Sequence, residues 1–212
     1  DYLLSRCFEI MVDDGDQEVL KLLSSTSAEI SQGEVLQFQH KGEIDMLEET
    51  YLKIISAKTA SLFAAATKVG SILSKIENKT KEALEFYGKN LGLTFQIADD
   101  ALDYNSELKL FGKEIGNDFY EGKITLPIIL LYQKANQDEK EDLKKFFEKK
   151  DRSENEFNHI LILIKKYNII NECYRKAEHF INLASNSLSI FKESREKEIL
   201  KNLTSFSFER SF

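Results

Sequence analysis

Turn-forming residues are scarce in this chain. It contains only one proline and nine glycines among 212 residues. A β protein with many turns needs Gly, Pro and Asn repeatedly at its hairpins, so this scarcity predicts an all-α fold. Hydrophobic residues make up 42% of the chain, which suffices for one sizeable core but is short for two. We therefore expect a single domain over residues 1–212.

The spacing of apolar residues predicts where the helices lie, because intervals of three and four place side chains on one helical face. The predicted helices span about residues 17–40, 46–75, 79–105, 121–136, 138–150, 154–166 and 168–192. The charge runs 138–152 and 192–201 are expected to be solvated helix surface. A helical pattern also starts at Tyr2, in a sequence without an initiating methionine, so we expect an N-terminally truncated bundle.

Small residues suggest where these helices approach one another. Ala64, Ala65, Ala66 and Gly70 form one cluster, and Gly88 and Gly92 lie a turn apart in the next predicted helix. Small side chains at a helix contact allow short interaxial distances. The apolar run 126–132 is expected to be a core segment.

Charge and cysteine content exclude several classes of protein. A net charge of −7 argues against nonspecific nucleic-acid binding, which needs an excess of Lys and Arg. No stretch approaches the roughly 20 apolar residues that span a bilayer. Cys7 and Cys173 lie far apart without neighbouring metal-ligand spacing, which favours reduced thiols in a cytoplasmic protein, although a disulfide is the alternative.

The segment 95–104 places three carboxylates inside an apolar helical pattern. Gln96, Asp99 and Asp103 fall at i, i+3 and i+7 on one helical face, with Asp100 beside them. Like charges at this spacing repel, and a bound cation would remove the repulsion. Magnesium prefers oxygen ligands and commonly joins one or two carboxylates to a substrate phosphate. A solvated acidic face or a helix cap is the alternative.

Lysines near this cluster are candidates for phosphate binding. Lys113 and Lys123 lie on Gly-rich segments, Gly112-Lys113 and Gly122-Lys123, which could also be ordinary connectors. Lys58 continues the apolar stripe of Tyr51 and Ile55. An ammonium in that position needs an anion opposite, from the protein or a ligand, unless it extends to the helix edge.

Taken in order along the chain, three segments resemble the trans-isoprenyl diphosphate synthases. They are Lys58-Thr59-Ala60, the segment from Phe95 to Asp103, and the Gly112-Lys113 to Pro127 region that ends in Gly122-Lys123-Ile124-Thr125-Leu126-Pro127. Gly33-Glu34-Val35-Leu36-Gln37 extends the similarity, and octaprenyl-type members look most similar. The resemblance implies an all-α isoprenoid synthase-type bundle around a central cavity, usually in a homodimer.

The resemblance also implies roles for individual residues. Asp99, Asp100 and Asp103 would form the second of two aspartate-rich motifs that bind Mg²⁺, with Asp99 and Asp103 in direct or water-mediated contact. Lys58, Lys113 and Lys123 would bind the diphosphate. Thr59 and Gln96, with Lys58, would lie beside the reacting carbons.

The implied reaction is a head-to-tail condensation of isopentenyl diphosphate with an allylic diphosphate such as farnesyl diphosphate. Its products would serve quinone side-chain or related isoprenoid synthesis. The first aspartate-rich motif has no counterpart here, because the early acidic run Asp13-Asp14-Gly15-Asp16, which we expect in the loop after the first helix, does not match it. We therefore expect either a synthase whose N-terminal part lies on another chain, or a noncatalytic remnant or subunit. A terpene cyclase is disfavoured by the segment 122–127.

Overall fold

The structure is a computed structural model that describes residues 2–105 and 115–209, and within these ranges it is all-α, as predicted. The helices of the described ranges are α1 (Tyr2–Asp14), α2 (Gln17–Gln39), α3 (Glu48–Ile55), a π-helical turn (Ser56–Ala60), α4 (Ser61–Leu73), α5 (Asn78–Leu102), α6 (Asn117–Glu121), α7 (Leu126–Lys134), α8 (Gln137–Glu148), α9 (Glu154–Lys166), α10 (Ile169–Ser187), a 3₁₀ turn (Leu188–Ile190) and α11 (Arg195–Glu209).

Most predicted helices agree with the structure to within a few residues, but five predictions need correction. The predicted helix 46–75 is interrupted by the π-helical turn, and the predicted helix 168–192 ends at residue 187 in a 3₁₀ turn. Asp13 and Asp14 belong to α1 rather than to a loop. The list of predicted helices also missed α11, because a run of alternating charges hides its apolar period.

The predicted helix 121–136 is in fact two helices with a connection between them. Gly122 ends α6 in the left-handed conformation, with φ of 73°. The next helix begins after Thr125, and Pro127 occupies its first turn. Proline lacks an N–H group and has a fixed φ, so it is well suited to start a helix there. The α7 segment that follows is buried from Leu126 to Leu131, which confirms the predicted core segment.

Helix α5 lies at the centre of the bundle and packs most extensively against α4 and α10. The contact of α5 with α4 and with the π-helical turn before it depends on two glycines of α5. A Cβ at Gly88 would lie 2.4 Å from the carbonyl oxygen of Phe63, and one at Gly92 would lie 2.6 Å from Cα of Ala60. The predicted close approach is therefore confirmed at these two positions. It is wrong at Gly70, where an added Cβ would meet nothing within 4 Å.

Two apolar clusters stabilise the bundle. The larger one joins α3, α5 and α7 to α10 and includes Ile54, Ile97, Ile128 and Ala177. A smaller cluster joins the first half of α5 to the end of α10. Cys173 lies in the larger cluster, and both it and Cys7 are free thiols. Within the described ranges, no helix is long and apolar enough to cross a membrane.

We expect Gly92→Ala to destabilise the protein by about 2 kcal/mol, because the new methyl group meets backbone atoms of Ala60 that cannot rotate away. The free energy of unfolding in urea measures this effect. Gly70→Ala is the matched control in α4: its added methyl group enters open space, so alanine's better helix propensity should stabilise by about 0.5–1 kcal/mol. Equal effects of the two substitutions would contradict the close-packing argument.

Candidate active site

The π-helical turn between α3 and α4 carries Lys58 and Thr59. Such turns are rare and often occur at functional sites. The wider turn shifts the helical register, so residues after it leave the face of those before it. Tyr51 and Ile55 are buried as predicted, but Lys58 is only half-buried and Leu62 is 52% exposed. The predicted continuous apolar stripe is therefore wrong beyond Ile55.

The ammonium of Lys58 has two partners on α2. Its Nζ lies 2.8 Å from Oε1 of Glu34 and donates a hydrogen bond of 2.9 Å to Oε1 of Gln37. Helix α2 comes this close because Gly33 faces the turn, where a Cβ would lie 2.7 Å from the backbone nitrogen of Lys58. The anion expected opposite Lys58 is thus a protein carboxylate in this structure. Sequence reasoning had assigned no role to Glu34 or Gln37.

Thr59 and Gln96 are directly joined across the contact between the π-helical turn and α5. The hydroxyl of Thr59 donates a 2.8 Å hydrogen bond to Oε1 of Gln96. The amide of Gln96 in turn donates a 2.7 Å hydrogen bond to Oδ1 of Asp100, one helical turn later. The hydroxyl of Tyr51 donates to the other oxygen of Asp100, also at 2.7 Å. The structure therefore brings Thr59 and Gln96 together in one hydrogen-bond network.

The three predicted metal-binding carboxylates have three different environments. Asp99 is exposed, and no described residue donates a hydrogen bond to its carboxylate. Asp100 is 4% exposed, and both its oxygens are occupied by Tyr51 and Gln96. Asp103 follows the end of α5 and turns toward α6. The expected convergence of the three side chains on one helical face does not occur in the described residues.

Asp103 accepts three backbone hydrogen bonds from the segment that starts α6. Its Oδ1 accepts from the N–H groups of Gly116 and Asn117 at 3.0 and 3.1 Å, and its Oδ2 accepts from Asp118 at 2.8 Å. These N–H groups lack intrahelical partners at the start of a helix, so a carboxylate stabilises them as a cap does. The capping alternative for this acidic cluster is thus realised at Asp103.

Negative charge is nevertheless concentrated at this end of α5. Burial raises the pKa of Asp100 above its ordinary value, and the charge of Asp118 raises it further, while the hydrogen bonds from Tyr51 and Gln96 act in the opposite direction. Burial also raises the pKa of Asp118, to which the charge of Asp103 adds. A cation bound nearby would favour the ionised carboxylates. Sequence reasoning had not assigned a role to Asp118.

Lys123 faces this acidic cluster from the connection after α6. Its Nζ lies 2.8 Å from Glu121 and 3.4 Å from Asp118. Burial alone would lower the pKa of Lys123, but the two carboxylates outweigh it and raise that pKa. Lys113 and Gly112 lie outside the described residues.

The described residues fit one particular mode of magnesium binding. Within residues 2–105 and 115–209, no group of three or more acidic, His or Cys side chains is arranged to hold a metal ion by itself. Magnesium, however, commonly uses one or two carboxylates together with substrate phosphates and water. Asp99 has an exposed carboxylate beside a concentration of negative charge, which suits that shared mode.

A family of known proteins matches most of this chain. A model of the polyprenyl synthetase family matches residues 1–164. The chain belongs to the polyprenyl synthetase family. The predicted resemblance is confirmed, and so is the fold class.

Individual relatives agree with this assignment. An all-trans-nonaprenyl-diphosphate synthase (geranyl-diphosphate specific) of Rhodobacter capsulatus is 33% identical over 99% of this chain and 64% of its own length. An octaprenyl diphosphate synthase of Escherichia coli is 40% identical over 61% of this chain and 40% of its own length. This chain thus spans about two thirds of the length of the first of these relatives.

Solved structures show the same fold. A polyprenyl synthase from Caulobacter crescentus, complexed with calcium and isoprenyl diphosphate, is 35% identical and superposes with a TM-score of 0.94. A decaprenyl diphosphate synthase from Rhodobacter capsulatus is 34% identical, with a TM-score of 0.93. Each alignment covers all of this chain and 65% of the other.

We predict that Asp103→Ala destabilises the metal-free protein by about 2 kcal/mol, because the N–H groups of Asn117 and Asp118 lose this acceptor, while that of Gly116 keeps only the backbone oxygen of residue 103. Asp99→Ala should change stability by less than about 0.5 kcal/mol, since Asp99 is exposed and its removal reduces repulsion. Urea unfolding in the presence of a chelator measures both. A larger loss for Asp99→Ala than for Asp103→Ala would disprove the capping role.

Proposed function

We propose that this chain provides the diphosphate-binding part of a polyprenyl diphosphate synthase active site. The reaction is a condensation of isopentenyl diphosphate with an allylic diphosphate such as farnesyl diphosphate. The observation that carries the proposal is the hydrogen bond between Thr59 and Gln96, which joins the π-helical turn with Lys58 to the helix with Asp99. It places a cation, two polar oxygens and an exposed carboxylate on adjoining elements.

Lys58 binds the allylic diphosphate in this proposal, and Lys123 and Lys113 add to the positive field. The present partner of Lys58 can be displaced: Glu34 is more than half exposed, and exposed ion pairs are worth only about 0–1 kcal/mol. A diphosphate carries more charge than one carboxylate and offers more acceptor oxygens. It therefore competes for the ammonium of Lys58, as it does for that of Lys123, whose shorter ion pair is with the exposed Glu121 and whose longer one, of 3.4 Å, is with Asp118.

The chemistry breaks the bond between the allylic carbon and the diphosphate oxygen, and the electron pair leaves with the diphosphate. The double bond of isopentenyl diphosphate forms the new carbon–carbon bond, and a proton passes to the released diphosphate. Oxygen dipoles at Thr59 and Gln96 stabilise the positive charge that develops on the allylic carbon. Asp99 is the proposed protein ligand of Mg²⁺, which when bound supplies Lewis-acid stabilisation of the leaving group.

The relatives support the substrate class and the need for a divalent cation. The Caulobacter crescentus structure is described as a complex with calcium and isoprenyl diphosphate, and the sequence relatives are named for products of different length. Product length in this chain, including the octaprenyl length suggested by resemblance, stays a proposal. So does a role in quinone side-chain synthesis.

A subunit that needs a complementary chain is the second candidate function. One relative, 30% identical over 60% of its own length, is named heptaprenyl diphosphate synthase component 2 from Bacillus subtilis. Under this alternative, the chain is inactive alone and gains activity when a separate N-terminal fragment of a synthase is added. Condensation of farnesyl and isopentenyl diphosphates after mixing the two fragments measures this gain.

We also propose a homodimer formed through α1. Leu4 and Phe8 are exposed and fall at i and i+4 on one face, with Met11 following at i+7. Arg6 and Glu9 lie toward the other side. An exposed apolar face of this kind marks an association surface.

The double variant Leu4→Glu, Phe8→Glu should sediment as a monomer under conditions in which the unaltered chain is a dimer, because four charges would face one another. Sedimentation velocity makes the comparison. Arg6→Glu reverses a charge on the opposite face of the same helix and should leave the dimer intact. A dimer that survives the double substitution would rule out this face.

The decisive experiment is calorimetric titration of Mg²⁺ with a nonhydrolysable farnesyl diphosphate analogue into the whole chain. We expect binding that needs both components. Asp99→Ala and Lys58→Ala should each weaken it at least about tenfold, because each removes a charged contact to the metal–diphosphate unit.

Asp151→Ala and Lys144→Ala are the matched controls, since they remove equal charges from exposed positions far from Lys58 in sequence. They should leave the affinity unchanged. Absence of any metal-dependent binding would refute a working diphosphate site. Equal losses of affinity in the two controls would show that the effect of Asp99→Ala and Lys58→Ala comes from net charge alone.

A further inference from the structure

Three side-chain hydrogen bonds connect a buried tyrosine to the proposed reaction site. Tyr51, 2% exposed, donates to Oδ2 of Asp100, and Gln96 donates to Oδ1 of the same carboxylate. Thr59 donates to the carbonyl oxygen of Gln96. The bonds measure 2.7, 2.7 and 2.8 Å, so each is a well-formed hydrogen bond.

The carboxylate of Asp100 fixes which way the Gln96 amide points. A glutamine amide has a donor end and an acceptor end, and in this structure the donor end points to Oδ1 of Asp100. The NH₂ group of Gln96 therefore faces Asp100, and its oxygen is left to face Thr59. Because Thr59 uses its single hydroxyl proton on Gln96, the lone pairs of its own oxygen remain available for a cation.

Tyr51 in turn holds Asp100. The tyrosine lies on α3, five residues before the π-helical turn begins at Ser56, and its hydroxyl reaches α5. Thr59 reaches α5 from the turn itself. The network thus links α5 to α3 at one end and to the π-helical turn at the other. Without the hydroxyl of Tyr51, one oxygen of a buried carboxylate loses its donor, and the side chain is free to rotate away from Gln96.

Both oxygens of Asp100 are used within the protein, whereas Asp99 next to it is exposed. This division argues against equal roles for adjacent aspartates. Asp99 faces the place where a metal and a diphosphate would bind, and Asp100 faces the core.

We propose that Tyr51 and Asp100 are positioning residues, which aim the oxygens of Gln96 and Thr59 at the allylic carbon, and that Asp100 acts through Gln96 rather than as a magnesium ligand. The inference rests on the proposed function. It replaces the metal role that the family resemblance implies for Asp100 and assigns a role to Tyr51.

The test compares three ligands in the presence of Mg²⁺ with the whole chain. Inorganic diphosphate measures binding of the leaving group alone. A nonhydrolysable thio-analogue of farnesyl diphosphate is neutral at the allylic position, and an aza-analogue carries an ammonium close to it. The ratio of their dissociation constants measures how strongly the site favours positive charge there, and calorimetry gives all three values.

We expect the unaltered chain to bind the cationic analogue more tightly than the neutral one. Tyr51→Phe should reduce this preference about tenfold while changing the affinity for inorganic diphosphate less than about twofold, because only the oriented dipoles are disturbed. Asp100→Asn should behave in the same way. Asp99→Ala should instead lose binding of inorganic diphosphate.

Tyr87→Phe is the matched control. Tyr87 is also a buried tyrosine, and its hydroxyl donates a 2.8 Å hydrogen bond to the carbonyl oxygen of Leu200, away from the site. Its removal should lower stability without changing the preference for the cationic analogue. A loss of preference equal to that of Tyr51→Phe would show a general effect of destabilisation and overturn the inference.

Other outcomes separate this inference from the proposed function. If the unaltered chain binds inorganic diphosphate with Mg²⁺ but does not prefer the cationic analogue, or if Tyr51→Phe keeps the preference, the positioning role is wrong and the diphosphate site stands. If Asp100→Asn loses binding of inorganic diphosphate as Asp99→Ala does, Asp100 is a metal ligand. If the unaltered chain binds no diphosphate, the proposed function fails and this inference fails with it.

Discussion

The close approach of α5 to the π-helical turn determines where the site residues can meet. Gly92 leaves no space for even a methyl group against Ala60, and the neighbouring Thr59 is therefore within hydrogen-bonding distance of Gln96. A separation larger by a single methyl group would break that bond, because hydrogen bonds weaken steeply beyond their normal length. The packing of small residues is thus a requirement of the site's geometry as well as of stability.

The second constraint is that the negative charges at the end of α5 must each be stabilised. Asp99, Asp100 and Asp103 occur within five residues, and each is accommodated differently: by solvent, by two side-chain donors and by three backbone donors. A buried carboxylate is tolerated only when hydrogen bonds compensate for its lost hydration. This arrangement leaves one carboxylate of the three facing outward, where a cation shared with a diphosphate could bind.

Lys58 shows the same principle for a positive charge. The π-helical turn moves it out of the buried stripe, and α2 supplies Glu34 and Gln37 as partners. Because these partners are partly exposed, the ammonium is oriented without being sequestered. A lysine that binds a diphosphate needs partners of this kind, because the diphosphate, as the stronger anion, can displace them.

The sequence by itself determined the helical class, most helix positions and the family, because apolar periodicity and local motifs depend on neighbouring residues. It also favoured an anion opposite Lys58, with extension of the side chain to the helix edge as the alternative. Only the tertiary structure decided that this anion is Glu34, that Asp103 caps α6, and that Asp100 binds Tyr51 and Gln96. Apart from the bond between Asp100 and Gln96, four positions apart on α5, these contacts join residues 13 to 49 positions apart, and that of Lys58 also depends on a π-helical turn. Ideal helical spacing cannot predict them, since a shift of register changes which side chains share a face.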